Sequence, residues 1–220
     1  MKVALIGATG FVGAAVLQEL VQRGHEVVAL VRDPAKLPAQ AGVQAVQADV
    51  MDAKAVEQAV RGTQAVLSAY NAGWANPNIY DDFLRGSAAI VQGVKAAGVP
   101  RYLVVGGAGS LYVAPGVQLV DTPEFPAAIY PGASAARDML TQLQKEDALD
   151  WSLLSPAVGF HAGSAAQARG RTGQYRTGSD APLMQDDGQV GDISAQDLAV
   201  ALVDALERQL HVRQRFTVAY

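Results

Sequence analysis

The chain has 220 residues, 50% of them apolar and 17% charged, with a formal charge of −4 and no cysteine. This composition excludes a disordered chain, disulfides, thiolate metal sites and cysteine nucleophiles. The acidic balance lacks the basic face that nucleic acid requires, and no apolar run reaches the roughly 18 residues of a membrane span. Its length suits one core, so a single domain over residues 1–220 is expected.

In chain order, the apolar run Lys2–Ile6 reads as a strand and leads into Gly7-Ala8-Thr9-Gly10-Phe11-Val12-Gly13. Met1 to Leu17 are apolar enough to imitate a signal peptide, but the three regularly spaced glycines argue for a different use and for a cytoplasmic protein. A helix is expected over Phe11–Arg23, then strands at Glu26–Val31 and Gln44–Asp49 and a helix at Ala53–Arg61. The strand Ala65–Ala69, the helix Ile79–Ala97, the strand Tyr102–Gly106, the helix Ser134–Asp147 and the strand Trp151–Ser155 follow. Continuous apolar strands, rather than alternating ones, are buried on both faces. Alternation with helices therefore predicts an α/β Rossmann-type fold, a doubly wound parallel sheet with helices on both faces. Residues 155–192 form a smaller substrate-side region rich in Gly, Ser and Asp, with a short strand near Gln174–Arg176. Ser194 and Asp197 open a last helix that runs to about Arg208, and Arg215–Tyr220 closes as a strand.

The glycine turn carries the chemistry. Gly7 permits a tight turn, Gly10 lets backbone approach a pyrophosphate, and Gly13 lets the helix pack closely on the strand. The amides of Thr9 to Val12, including Phe11, would face phosphate oxygens at a helix N-terminus. Strand, turn and helix occur in the order that a dinucleotide site demands, although a ligand-free packing turn has the same pattern. After the second strand, where NAD-binding chains place an acid, this chain has Arg32, 19 residues beyond Gly13. A guanidinium there suits a 2′-phosphate, so NADP(H) is expected in preference to NAD(H), unless Arg32 merely pairs with Asp33. Asp49, beside Val50 at the end of the third strand, can accept the adenine amino group or cap the helix near Asp52.

With these motifs in hand, the chain resembles the atypical short-chain dehydrogenase/reductases. It is most similar to the NmrA-like proteins and the group described as NADH-flavin reductases, with the layout of biliverdin reductase B. The resemblance is carried by the glycine turn, Leu30–Asp33, Ala48–Val50, Val66–Ala69, Val104–Leu111, Ser155-Pro156 and Ile193–Leu198. It implies that Ser68, Ala69, Tyr70 and Asn71 after the fourth strand, and Gly106 to Ser110 after the fifth, line the cofactor. It also implies that Pro156 passes near the nicotinamide, and that Ser110 hydrogen-bonds the carboxamide or the substrate. Ser110 reads equally as the cap of a local turn. The chain departs from the superfamily in one respect. None of its seven tyrosines has lysine four residues later, and Tyr130 is followed at that spacing by Ser134. The usual proton relay is missing, which leaves hydride transfer to a flavin or similar planar small-molecule acceptor. The alternatives are a non-catalytic NADP(H)-binding redox sensor and, less well supported, a sugar-nucleotide epimerase or dehydratase.

On the substrate side, Trp74 in the turn-rich loop 71–80 can stack on a planar acceptor or pack the loop to the body. The proline-studded segment 113–126 reads as a lid or as surface. Tyr112 can be a proton donor or a rim aromatic, and His161 can approach the nicotinamide or remain in solvent. No His/Asp/Glu cluster has metal-ligand spacing, so no metal is expected. Sequence leaves monomer and homodimer open.

Overall fold

The computed structural model describes residues 1–220. Its core is an eight-stranded sheet in the order β3-β2-β1-β4-β5-β8-β10-β9. The first five parallel strands are β1 (Lys2–Ile6), β2 (Glu26–Val31), β3 (Val43–Gln47), β4 (Ala65–Ser68) and β5 (Arg101–Val105). Outside the main sheet, β6 (Tyr112–Ala114) and β7 (Val117–Gln118) form a separate antiparallel hairpin. β8 (Asp150–Ser155) and β10 (Gln214–Ala219) extend the parallel sheet, and β9 (Arg176–Gly178) pairs antiparallel with β10 at its edge. The helices are α1 (Phe11–Gln22), α2 (Ala53–Val60), α3 (Ile79–Ala96), α4 (Tyr130–Leu143) and α5 (Ala195–Glu207).

The pleat of β1 sorts the core into two layers. Val3 and Leu5 join α1 and α5 on one face, where Val16, Leu20, Leu198 and Leu202 are fully buried or nearly so. Ala4 and Ile6 join α2, α3 and α4 on the other, with Val56, Ile90 and Leu140. Each Val, Leu or Ile side chain among these contributes about 1.5–3 kcal/mol through burial. Because both faces are covered, the strands read as unbroken apolar runs.

Polar ties hold the substrate-side region onto this body. Glu19, 3% exposed, accepts hydrogen bonds from Arg23 Nε (2.6 Å) and from Arg171 Nε (2.7 Å). Asp204 accepts from Arg23 (2.7 Å) and from the Tyr175 hydroxyl (2.5 Å). Fully buried Asp197 accepts from the amides of Thr172 (2.8 Å) and Gly173 (2.7 Å) and from the Tyr220 hydroxyl (2.7 Å). Residues 170–175 are thereby stapled to α1 and α5.

At the N-terminal ends of the strands, buried Arg101 of β5 donates to the carbonyls of Asp150 (2.8 Å), Ala205 (3.0 Å) and Leu210 (3.0 Å). These bonds secure the α5–β10 connection, in which Gln209, His211 and Arg213 all adopt positive φ.

Several boundaries differ from the sequence reading. α4 begins at Tyr130 rather than Ser134, because Pro131 lies in the first turn, where its missing N–H is not needed. The proline-studded segment after the fifth strand, expected as a lid or as surface, begins with the β6–β7 hairpin. The short edge strand lies at Arg176–Gly178, slightly later than expected.

Candidate functional site

The site is built where β1 ends. Gly7 has φ +84°, and a Cβ there would lie 2.6 Å from the Ala69 carbonyl oxygen at the end of β4. At Gly13 a Cβ would fall 1.9 Å from the Gly7 carbonyl oxygen, so α1 rests directly on the turn. Gly10, the N-cap, provides no side-chain cap. Its own amide is spent on Gly7 O (2.9 Å), a correction to the expectation that the whole run from Thr9 to Val12 points outward. The amides of Thr9, Phe11, Val12 and Gly13 find no acceptor in the chain. Free N–H groups at the positive end of a 12-residue helix, beside an exposed glycine, form an anion cradle.

Beyond β2, Arg32 is exposed and makes no ion pair. The Asp33 carboxylate accepts from Ala35 N (3.1 Å) and caps a short 3-10 turn, so the surface pair with Arg32 does not form. Asp49 accepts from Met51 N (2.9 Å), whereas Asp52 is the residue that caps α2 through Lys54 N (2.9 Å) and Ala55 N (3.3 Å). Asp49 therefore stays exposed at the strand end with a local turn bond, and Val50 beside it is half-buried.

Ser68, the last residue of β4, is buried, and Ala69 after it is half-buried. Tyr70 folds onto α3, stacks on Phe83 (5.7 Å between centroids) and donates to Asp82 O (2.9 Å). Burial, aided by the Asp82 charge, pushes its phenol up to about 12. The backbone of Ala69 and Tyr70, and not the phenol, faces the glycine turn. Asn71 Oδ1 accepts from Gly73 N (2.7 Å) and Asn76 Oδ1 from Asn78 N (2.9 Å), while Asn76 Nδ2 donates to Asp82 (2.9 Å). This asparagine lacing holds Trp74 out at 63% exposure, its ring against Gly132 of α4. Trp74 thus both anchors the loop and offers a free aromatic face.

After β5, Gly106 packs tightly on Leu153, and the short 3-10 turn Ala108–Ser110 rests on α4 through Gly109 against Ala133. Ser110 is 2% exposed. Its hydroxyl donates to Gly107 O (3.3 Å) and accepts from Arg215 Nη1 (3.2 Å), and its carbonyl also accepts from Arg215 (2.8 Å). Arg215 was not anticipated as a site neighbour. Its buried guanidinium pairs with Asp180 and lies 5.7 Å from the Tyr112 ring. An arginine at the start of the closing strand was the available signal. Tyr112 is 42% exposed and donates its amide to Asp180 O (2.8 Å), which makes it a rim aromatic.

After β8, Pro156 is buried and the segment turns at Phe160, which stacks on Phe11 of the glycine turn (5.4 Å). That pairing was also missed, because nothing local in the sequence links residues so far apart. His161 is exposed, its Nδ1 accepting from Gly163 N (3.1 Å). The hydroxyls of Ser155 and Thr217, register partners on β8 and β10, are buried without a hydrogen-bond partner. No group of His, Asp and Glu is arranged to hold a metal.

Glycine turn, strand order and strand-end loops together define an atypical short-chain dehydrogenase/reductase of the Rossmann type. Residues 7–209 match the family described as NAD(P)H-binding, and the chain belongs to that family. YwnB of Bacillus subtilis is 38% identical over 220 residues, covering 99% of this chain and 98% of its own. A solved structure of a candidate epimerase from Bacteroides thetaiotaomicron shares 42% identity, covers 100% of this chain and 96% of its own, and has a TM-score of 0.89. A candidate NADH-flavin reductase from Streptococcus pneumoniae shares 33% identity, covers 100% and 99%, and has a TM-score of 0.82. No helix is long and apolar enough to cross a membrane.

Proposed function

We propose that the protein is an NADPH-dependent reductase that passes hydride to a flavin or a similar planar small molecule. The observation that carries this reading is the pairing of a free amide cradle at Thr9–Gly13 with an unpaired Arg32 at the end of β2. In this reading the amides of Thr9, Phe11, Val12 and Gly13 hold the pyrophosphate, and Arg32 holds the 2′-phosphate. Asp49 and Val50 receive the adenine, and the backbone of Ser68 to Asn71, Gly106 and Pro156 borders the nicotinamide half. Ser110, fixed by Arg215, orders the loop that faces the acceptor. Trp74, Tyr112 and His161 stand around it.

When bound, the reduced cofactor supplies a hydride to an electron-poor ring, and solvent supplies the balancing proton. The chain then contributes proximity and orientation, for which effective-molarity advantages reach about 7–11 kcal/mol. Its tyrosines suit that division of labour. Tyr70 is held as a donor to Asp82, and Tyr130, 44% exposed, has Ser134 where a relay would need lysine. The same lack of a tyrosine–lysine pair speaks against epimerisation, despite the likeness to the Bacteroides protein. A reductase of this kind works where NADPH is supplied, which favours the cytoplasm.

The test is NADPH oxidation by the purified protein with a flavin as acceptor, alongside calorimetric titration of NADPH. Turnover supports the reading. Tight NADPH binding with no turnover on any flavin or quinone would instead favour a redox sensor.

A further inference from the structure

We infer that the acceptor is an uncharged, phosphate-free planar molecule; this rests on the reductase reading above and names the substrate class for that same site. The argument is one of charge placement. The loops after β4 and β5, residues 69–78 and 106–129, contain no lysine or arginine, and their only charged residues are Asp121 and Glu124. The segment after β8 has three arginines, all engaged elsewhere. Arg169 stacks over Tyr220 (4.3 Å), Arg171 is held by Glu19 (2.7 Å), and Arg176 donates to Tyr220 O (3.0 Å).

Cations that border these loops from neighbouring elements are also matched. Arg85 pairs with Asp82 (2.9 Å), Arg137 with Asp121 and Asp138 (2.8 Å each), and buried Arg215 with Asp180. Of the cations at this edge without an acid partner, Arg32, Lys36 and Lys54 follow β2 and β3 on the adenosine side, while Arg169 lies over the Tyr220 ring and Arg176 is bound to the Tyr220 and Met184 carbonyls. Arg32 and the amide cradle account for the phosphates of the dinucleotide, and the loops after β4 and β5 hold no lysine or arginine to receive a phosphate on the acceptor.

What the acceptor half does offer is apolar surface. Trp74 (63% exposed), Ile129 (41%) and Tyr130 (44%) surround the start of α4, and Tyr112 (42%) and Val113 (45%) project from the hairpin. Trp74 touches Gly132, and Tyr130 meets Phe125 edge-on (6.3 Å). Aromatic faces bind flat conjugated rings well. A phosphate dianion brought among them would lose its hydration, meet Glu124 and Asp121, and gain no charge-assisted contact. The surface thus selects by exclusion as well as by attraction.

The experiment titrates riboflavin and its 5′-phosphate, FMN, into the protein saturated with NADP⁺, following flavin fluorescence, and then repeats both with NADPH while recording oxidation. The two flavins share one ring system and differ in the phosphate alone. Riboflavin is expected to bind about ten-fold or more tightly than FMN, with the gap narrowing as salt is raised. Equal or tighter binding of FMN overturns the inference, and so does failure of riboflavin to bind. Riboflavin binding without NADPH oxidation defeats the reductase reading and leaves the assignment of an uncharged ligand standing, so the two can fail separately.

Discussion

Replacing Arg32 with alanine isolates the cofactor preference. Its guanidinium is exposed, lacks an internal partner and sits beside Asp33, whose carboxylate is occupied by Ala35 N. Its removal should therefore leave no buried charge behind and hardly alter folding. A charge-assisted contact with the 2′-phosphate contributes about 1.5–3 kcal/mol, and solvent exposure places this one at the lower end. At about 1.4 kcal/mol per decade, a loss of 1.5–2 kcal/mol weakens NADPH binding about ten- to thirty-fold. NADH lacks that phosphate, so its affinity should change less than about three-fold. Calorimetric titration of both nucleotides into the wild type and Arg32→Ala gives the ratio directly, and the NADPH advantage should shrink as salt rises. An unchanged NADPH/NADH ratio would refute the role of Arg32.

Gly13→Ala drives a methyl to 1.9 Å from Gly7 O, so α1 must shift off the turn. Overpacking of this kind costs about 1–3 kcal/mol, seen as a melting temperature lowered by roughly 2–12 °C together with loss of nucleotide binding in a titration. Trp74→Ala is expected to raise the acceptor KM while leaving NADPH affinity unchanged if, as proposed, its exposed ring faces the acceptor; steady-state kinetics with each substrate varied checks this. Tyr70→Phe should change kcat less than about two-fold and lower stability by about 0.5–1.5 kcal/mol, measured by denaturant unfolding, because its hydroxyl only serves Asp82 O.

Stability should also depend on acid in a defined direction. Burial works to raise the Glu19 pKa, yet hydrogen bonds from Arg171 and Arg23 outweigh it and hold the carboxyl below its ordinary 4.5. Asp204 behaves alike, with burial opposed by Tyr175 and Arg23. A carboxyl depressed in the folded state contributes stability that is present above its unfolded value and lost as pH falls through the folded one. Melting temperature should therefore hold near neutrality and fall below about pH 4, with a shallower fall in Glu19→Gln.

The parts of the fold readable in the sequence are those set by local periodicity. β1, the glycine turn and the start of α1 were legible because tight turn, apolar strand and helix each leave a mark on adjacent residues. The start of α4 was not, since Tyr130 and Pro131 resemble a loop until Pro131 is recognised as a first-turn residue. The fate of Asp33 was hidden too, because capping Ala35 and pairing with Arg32 demand the same side chain. Arg215 beneath Ser110, and Phe160 on Phe11, are contacts across the sheet with no periodic trace. Ser68 ends β4, Tyr70 follows it and Ser110 follows β5, positions that the strand pattern alone makes readable. Their burial and bonding depended on partners that only tertiary structure brings near.

The α5–β10 connection has a practical consequence. Three residues with side chains, Gln209, His211 and Arg213, share a left-handed backbone in a six-residue stretch tied down by Arg101, at the edge remote from the nucleotide. Backbone of this kind costs on the order of 1 kcal/mol per residue unless the side chain tolerates it. Gln209 makes no side-chain hydrogen bond, so an asparagine there offers a route to a hardier protein without touching the glycine turn or the strand-end loops.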